Sequence, residues 1–201
     1  HMDLETVKKL IRYYMPKHEV FVTAAKEAEK YYENEDTVLR TGAAAVDAIN
    51  QYLKQCGKDP LHSADNRIPL NWHRILVDQK IGYLFTYPPQ FDTKEAQQID
   101  FQSLLGDDYE KVIKKLGVDA SNTGRAWIQY WKGEKGMEYH YVDPKQVLPI
   151  YDETNIKKPL KLLLRYYTAL DEQGEEYVRY ELWNEKEVCF FYHKSDASID
   201  K

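Results

Sequence analysis

Cysteine is scarce in this chain: only Cys56 and Cys189, far apart and with no metal-like partner spacing around either. A disulfide-stapled scaffold needs more, so two reduced thiols in a cytosolic protein are the expectation. No apolar run approaches the ~20 residues needed to cross a bilayer, and no signal peptide opens the chain, so no membrane association is expected. Positive charge is not in excess either. Twenty-eight Lys and Arg against 33 Asp and Glu leave a formal charge of −5, with the cations scattered among the acids. Gripping duplex DNA requires clustered cations that displace counterions, which excludes a sequence-reading or strongly wrapping DNA-binding domain. Gly-rich phosphate loops, Gly-x-Ser-x-Gly elbows and His-Glu-x-x-His helices are missing. The expectation is therefore a protein that is not an enzyme, with no catalytic, cofactor-binding or metal-binding residues.

What is present is a globular composition, 43% hydrophobic and 30% charged, with 17 tyrosines and 4 tryptophans in 201 residues. That length supports one good core or two small subdomains. Residues 1–2, His-Met, read as the scar of an expression tag. Residues 3–123 read as helical. Asp3 caps a short helix carrying Leu4, Val7, Leu10, Ile11 and Tyr14, and Pro16 is expected to stop it and start a second helix from Val20 to Tyr32, making a hairpin. Glu33 to Asp36 ends that helix. Ala43 to Leu53 has helical propensity and closes at Gly57. Further helices are expected near Lys94 to Leu105 and from Asp107 to Leu116, the latter ending on Lys114 and Lys115 in complement to its dipole.

From Gly124 the period changes from helical to alternating. Arg125–Trp131, Met137–Val142, Val147–Tyr151, Lys161–Ala169, Tyr177–Trp183 and Val188–Tyr192 read as strands rich in aromatic and β-branched residues, separated by Gly, Asp-Pro and Asn-Glu turns. Residues 124–193 thus form a mostly antiparallel β-meander, and residues 194–201 a frayed tail. Helices followed by strands give an α+β fold, the helical N-terminal half packed on the meander.

The most informative stretch runs from Asn66 to Pro89. Trp72, Ile75, Leu76, Ile81, Leu84 and Phe85 recur at helical spacings, so one broad apolar face is expected to be buried. Pro69 suits a first helical turn, Pro88-Pro89 stops the helix, and Arg74 and Asp78 stand four apart, in reach of each other. The same stretch resembles bacteriophage portal proteins of the SPP1 type, in which an Asn-x-(Ile/Leu) start leads into a helix ending Leu-Val-Asp-Gln-Lys-x-x-Tyr-Leu and then a proline loop. The matching residues are Asn66, Ile68, Leu76-Val77-Asp78-Gln79-Lys80 and Tyr83-Leu84, with Pro88 and Pro89 behind. Tyr31-Tyr32 with Val38-Leu39-Arg40 is similar to another family block, though Asn34 stands where glycine is usual. Gly124-Arg125-Ala126-Trp127, Tyr141 to Asp152 and Leu163 to Tyr167 resemble further blocks in the family's order.

The resemblance implies a wing-like portion of a portal subunit. The ring, normally dodecameric, sits at one capsid vertex, where DNA is packaged and ejected. An acidic or mixed surface suits a wall past which DNA slides. Implied partners are other portal subunits, capsid and scaffolding proteins, with terminase, head-completion proteins and viral DNA engaged mainly through a longer family member's downstream stem, clip and crown. The implied location is the virion, and the host cytoplasm during assembly. A free-standing acidic protein-interaction module, and an enzyme whose site leaves no motif, are the competing readings.

Asn66, Arg74, Asp78, Gln79 and Lys80 are the candidates for holding the region together or for subunit contact. Glu138, His140 and Asp143 could be imagined as a metal or acid/base cluster, as could His62, Asp65 and His73, but neither has ligand spacing. Without interleaved cations, Trp127, Tyr139, Tyr141, Tyr166, Tyr180 and Trp183 read as sheet and interface residues with satisfied hydroxyls.

Overall fold

The computed structural model describes residues 3–35, 47–57, 70–87, 89, 91, 100–134 and 136–194. Its helices are α1 (Leu4–Tyr32), α2 (47–55), α3 (Trp72–Leu84), α4 (Phe101–Leu105) and α5 (Tyr109–Thr123). The strands are β1 (Trp127–Gly133), β2 (Gly136–Val142), β3 (Val147–Tyr151), β4 (Leu160–Leu170), β5 (Glu176–Trp183) and β6 (Val188–Lys194). The fold class is α+β, as the alternation predicts. The chain divides into two compact units, one of His1–Ala25 with Gln90–Lys201 and one of Lys26–Pro89. Asn66, Pro69, Pro88, Val38 to Arg40 and residues 195–201 lie outside the described residues.

In the first unit β3, β4, β5 and β6 form a four-stranded antiparallel meander in sequence order, and β1 and β2 form a separate hairpin. Alternation puts Leu148, Ile150, Leu162, Leu164, Leu182 and Phe191 on one face of the meander, where they form the core with Val7 of α1. Leu4, Leu10, Ile11, Tyr14 and Met15 complete the apolar stripe that α1 lays against it.

The expected break at Pro16 does not occur: α1 is one helix of 29 residues with Pro16 inside it. An interior proline leaves the Arg12 carbonyl without its helical donor and costs about 3 kcal/mol. Here the helix is held on both sides of it, by Val7 and its neighbours before and by buried His18 and Ala25 after. Asp3 does cap the start, its Oδ1 accepting from the Thr6 N–H at 3.1 Å.

The helix from Asp107 to Leu116 also runs further than expected, through Gly117 to Thr123, and stops where Gly124 turns left-handed at φ 77°. Lys114 and Lys115 are therefore not at its end. They lie inside it, paired with Glu110 and with buried Asp119 at 2.5 Å each. These pairs and the burial of Val112 outweigh the roughly 1 kcal/mol a mid-helix glycine costs. Of the helix expected from Lys94, only Phe101–Leu105 falls among the described residues.

Candidate functional site: a helix clasp

In the second unit the end of α1 meets the start of α3. Tyr32 is the last residue of α1, and the helix closes in a Schellman arrangement: the Glu35 N–H donates to the Lys30 carbonyl at 2.8 Å and the Asn34 N–H to Tyr31 at 3.2 Å. Asn34 takes φ 59° there. After glycine, asparagine tolerates that conformation best, which explains how Asn34 occupies a glycine position.

Asn71 serves both helices. Its Oδ1 accepts from the Arg74 N–H at 3.1 Å, capping α3, and its Nδ2 donates to the Tyr32 carbonyl at 2.9 Å. Both groups would otherwise be orphans of a helix end. The Tyr32 hydroxyl donates to Asp78 Oδ1 at 2.7 Å, while Arg74 Nε reaches Asp78 Oδ2 at 3.4 Å and its guanidinium lies 5.3 Å from the Tyr32 ring centre. Burial, then the bond to Asp78 and the charge of Asp78, push the Tyr32 hydroxyl up to about 12. The expected Arg74–Asp78 pair is thus half of a clasp, whose other half is a tyrosine 46 residues earlier.

The expectation of one broad buried face on α3 is not met. Val77 and Ile81 are its buried residues, whereas Trp72, Leu76 and Leu84 are more than half exposed and Ile75 nearly so. At 100° per residue, Arg74 and Asp78 flank the buried pair on the side of Tyr32, and Gln79 and Lys80 fall on the opposite side with Trp72, Leu76 and Tyr83. Gln79 and Lys80 are exposed, and their side chains make no hydrogen bond or ion pair among the described residues. Asn66 lies outside them. Of the five candidates, α3 brings Arg74 and Asp78 together and turns Gln79 and Lys80 away.

The other polar clusters lie in the first unit. His18 is buried against Phe21 and Tyr166, and its Nε2–H donates to the Lys145 carbonyl at 3.0 Å, tying α1 to the turn at Pro144–Gln146. Burial holds the imidazole below its ordinary pKa, with the nearby Arg125 charge acting the same way. Glu181, also buried, takes the Tyr167 hydroxyl at 2.8 Å and lies 3.5 Å from Arg165 and 3.4 Å from Arg179. Arg165 also donates to Gln129 of β1 at 2.8 Å, linking hairpin and meander. Sequence reasoning missed both residues. A cross-strand register could have found Glu181, which pairs directly with Arg165, whereas nothing local marks His18.

Glu138 and His140 share the exposed face of β2, but Glu138 accepts from the Trp131 indole at 2.9 Å, and among the described residues no group of three or more His, Cys, Asp or Glu could hold a metal ion. His62 and Asp65 lie outside those residues, and His73 sits edge-on to Tyr32. The six aromatics expected in sheets are all half-buried there, and the Trp127 indole N–H is buried without an acceptor among the described residues. No helix among the described residues is long and apolar enough to cross a membrane.

The polar side chains described above join helix end to helix end and strand to strand, and each orders backbone. The chain belongs to the family of phage portal proteins described as SPP1 Gp6-like, whose model matches residues 4–200. It is 30% identical to the portal protein of Clostridium phage phiCD119, over 92% of this chain and 42% of that protein. To the portal protein of Bacillus phage SPP1 it is 27% identical, over 84% of this chain and 32% of that one. The chain thus spans less than half the length of these relatives.

Proposed function

We propose that the chain is the wing-like part of a portal subunit, a structural component of the ring at a capsid vertex through which viral DNA is packaged and ejected. The observation that carries this reading is the family match over residues 4–200, supported by two portal proteins aligned along most of the chain. In this role the helical stretch 3–123 and the strands of 124–193 serve lateral and capsid-facing contact. Arg74 and Asp78 hold α3 to the end of α1, while Asn66, Gln79 and Lys80 order the neighbourhood or meet an adjacent surface. Other portal subunits, capsid and scaffolding proteins are the partners of this part. Terminase, head-completion proteins and DNA are engaged mainly by the remainder of a full-length portal. The protein acts in the virion, after assembly in the host cytoplasm.

A free-standing acidic interaction module is not favoured, because the match runs through the whole chain and not one segment. Electron microscopy of a full-length portal carrying residues 3–201 tests the reading. Rings of uniform size around a central channel are expected, and a product that stays monomeric or forms open filaments overturns it.

A further inference from the structure

The outer side of α3 carries Trp72, Leu76, Gln79 and Tyr83 at spacings of four, three and four, the seam by which one helix packs along another surface. Trp72 is 61% exposed, Leu76 64% and Tyr83 85%, and Leu70 and Tyr87 extend the strip past both ends of the helix. The strip itself carries one charge, Lys80, on a stem long enough to reach water at its edge, so little desolvation opposes its burial. With aromatic side chains presenting about 150–250 Å² each, the exposed fractions of Trp72, Leu76 and Tyr83, with Leu70 and Tyr87 beyond the helix ends, come to roughly 700 Å². That exceeds the largest apolar patch of a typical monomer, about 300–600 Å². It approaches the roughly 800 Å² that each partner contributes to a standard stable interface.

We infer that this seam is a contact surface for a second copy of the chain, with Trp72, Leu76 and Tyr83 as its anchors. The inference deepens the portal reading and rests on it for the identity of the partner, since a ring is built from repeated contacts between copies. It divides the labour on α3. Tyr32, Asn71, Arg74 and Asp78 fix the helix from within, and Trp72, Leu76, Gln79 and Tyr83 face the neighbour.

Sedimentation equilibrium of the 201-residue chain from about 1 to about 500 μM tests the seam. The weight-average mass is expected to rise above the 23.8 kDa of the monomer with concentration. Leu76→Asp and Tyr83→Asp should each weaken that rise roughly tenfold or more and leave the melting curve unchanged, because neither side chain is in the core. A wild-type chain that stays monomeric throughout overturns the inference, as do variants that associate as strongly as wild type. Hydroxyl-radical footprinting at about 1 μM must find Tyr83 reactive. Protection in the monomer means that the chain covers its own seam, which overturns it as well. The outcomes separate from those of the portal reading: a full-length protein with Leu76→Asp that still forms rings defeats the seam alone, and a wild-type full-length protein without rings defeats the portal reading.

Discussion

Removing one oxygen, by Tyr32→Phe, tests whether the clasp orders the junction of α1 and α3. The ring stays, so packing against Arg74 and His73 is preserved and only the bond from the hydroxyl to Asp78 is lost. Hydrogen bonds to a charged acceptor contribute about 1.5–3 kcal/mol. The Asp78 side chain is 48% exposed, and water replaces part of what is lost, so the expected cost is about 1 kcal/mol. The Arg74–Asp78 pair is an exposed i, i+4 contact worth about 0.3–0.5 kcal/mol, so Arg74→Ala should cost less than Tyr32→Phe. Urea unfolding of both variants and of Asp78→Ala gives that ranking, with Asp78→Ala losing both contacts. Tyr32→Phe should lower the melting temperature by about 2–4 °C in a chain of this size. The pH dependence has a fixed sign. Tyr32 ionises near 10 when unfolded and at about 12 when folded, so its contribution is complete below pH 10 and disappears as pH rises through about 12. The gap between wild type and Tyr32→Phe should close across that window. Equal stability of the two proteins near neutral pH, or a gap that ignores the window, refutes the clasp.

Asn71→Ala removes the α3 cap and the donor to the Tyr32 carbonyl together, and should cost about 1–2 kcal/mol by the same unfolding assay. Leu164→Ala, at 1% exposure in the core beneath α1, should cost about 2–5 kcal/mol and lower the midpoint in urea without altering the slope. His18 is kept neutral by burial, so its contribution is present above the unfolded value of about 6.5 and is lost as pH falls toward its lower folded value. His18→Gln should flatten that acid-side decline in melting temperature. Pro16→Ala restores the helical N–H and should raise stability by up to about 3 kcal/mol, provided α1 is straight at that point; a loss would mean that a kink at Pro16 seats the helix on the sheet.

The strands were legible because each carries a period of two between turn residues. All six lie within two residues or so of their expected positions, and the meander order follows from short connections. Helix boundaries were less legible for a reason visible at Pro16 and Gly117: both residues break helices locally, and both are overruled by burial on either side that only the folded chain supplies. On α3 apolar spacing does not mark burial: spacing reports only that a face exists, and Val77 with Ile81 is the pair the unit covers. The clasp was half legible. Arg74 and Asp78 are four apart and announce themselves, and Asn71 three residues before Arg74 is a cap signature. Tyr32 is joined to them only by the path of the chain.

A helix that buries one face constrains every third or fourth residue and leaves those between free, so it produces a spaced pattern and not an unbroken word. Leu76-Val77-Asp78-Gln79-Lys80 is unbroken, and the geometry of α3 supplies a reason. Val77 is committed to the interior, Asp78 to Tyr32 and Arg74, and Leu76, Gln79 and Lys80 to the outward side. On the inferred seam, opposite sides of this one helix carry different demands, and its exposed face matters to the protein as its buried face does. Substitutions that spare Val77 and Asp78 but charge Leu76 should leave folding intact and strike assembly, a separation that a merely solvent-facing side could not produce.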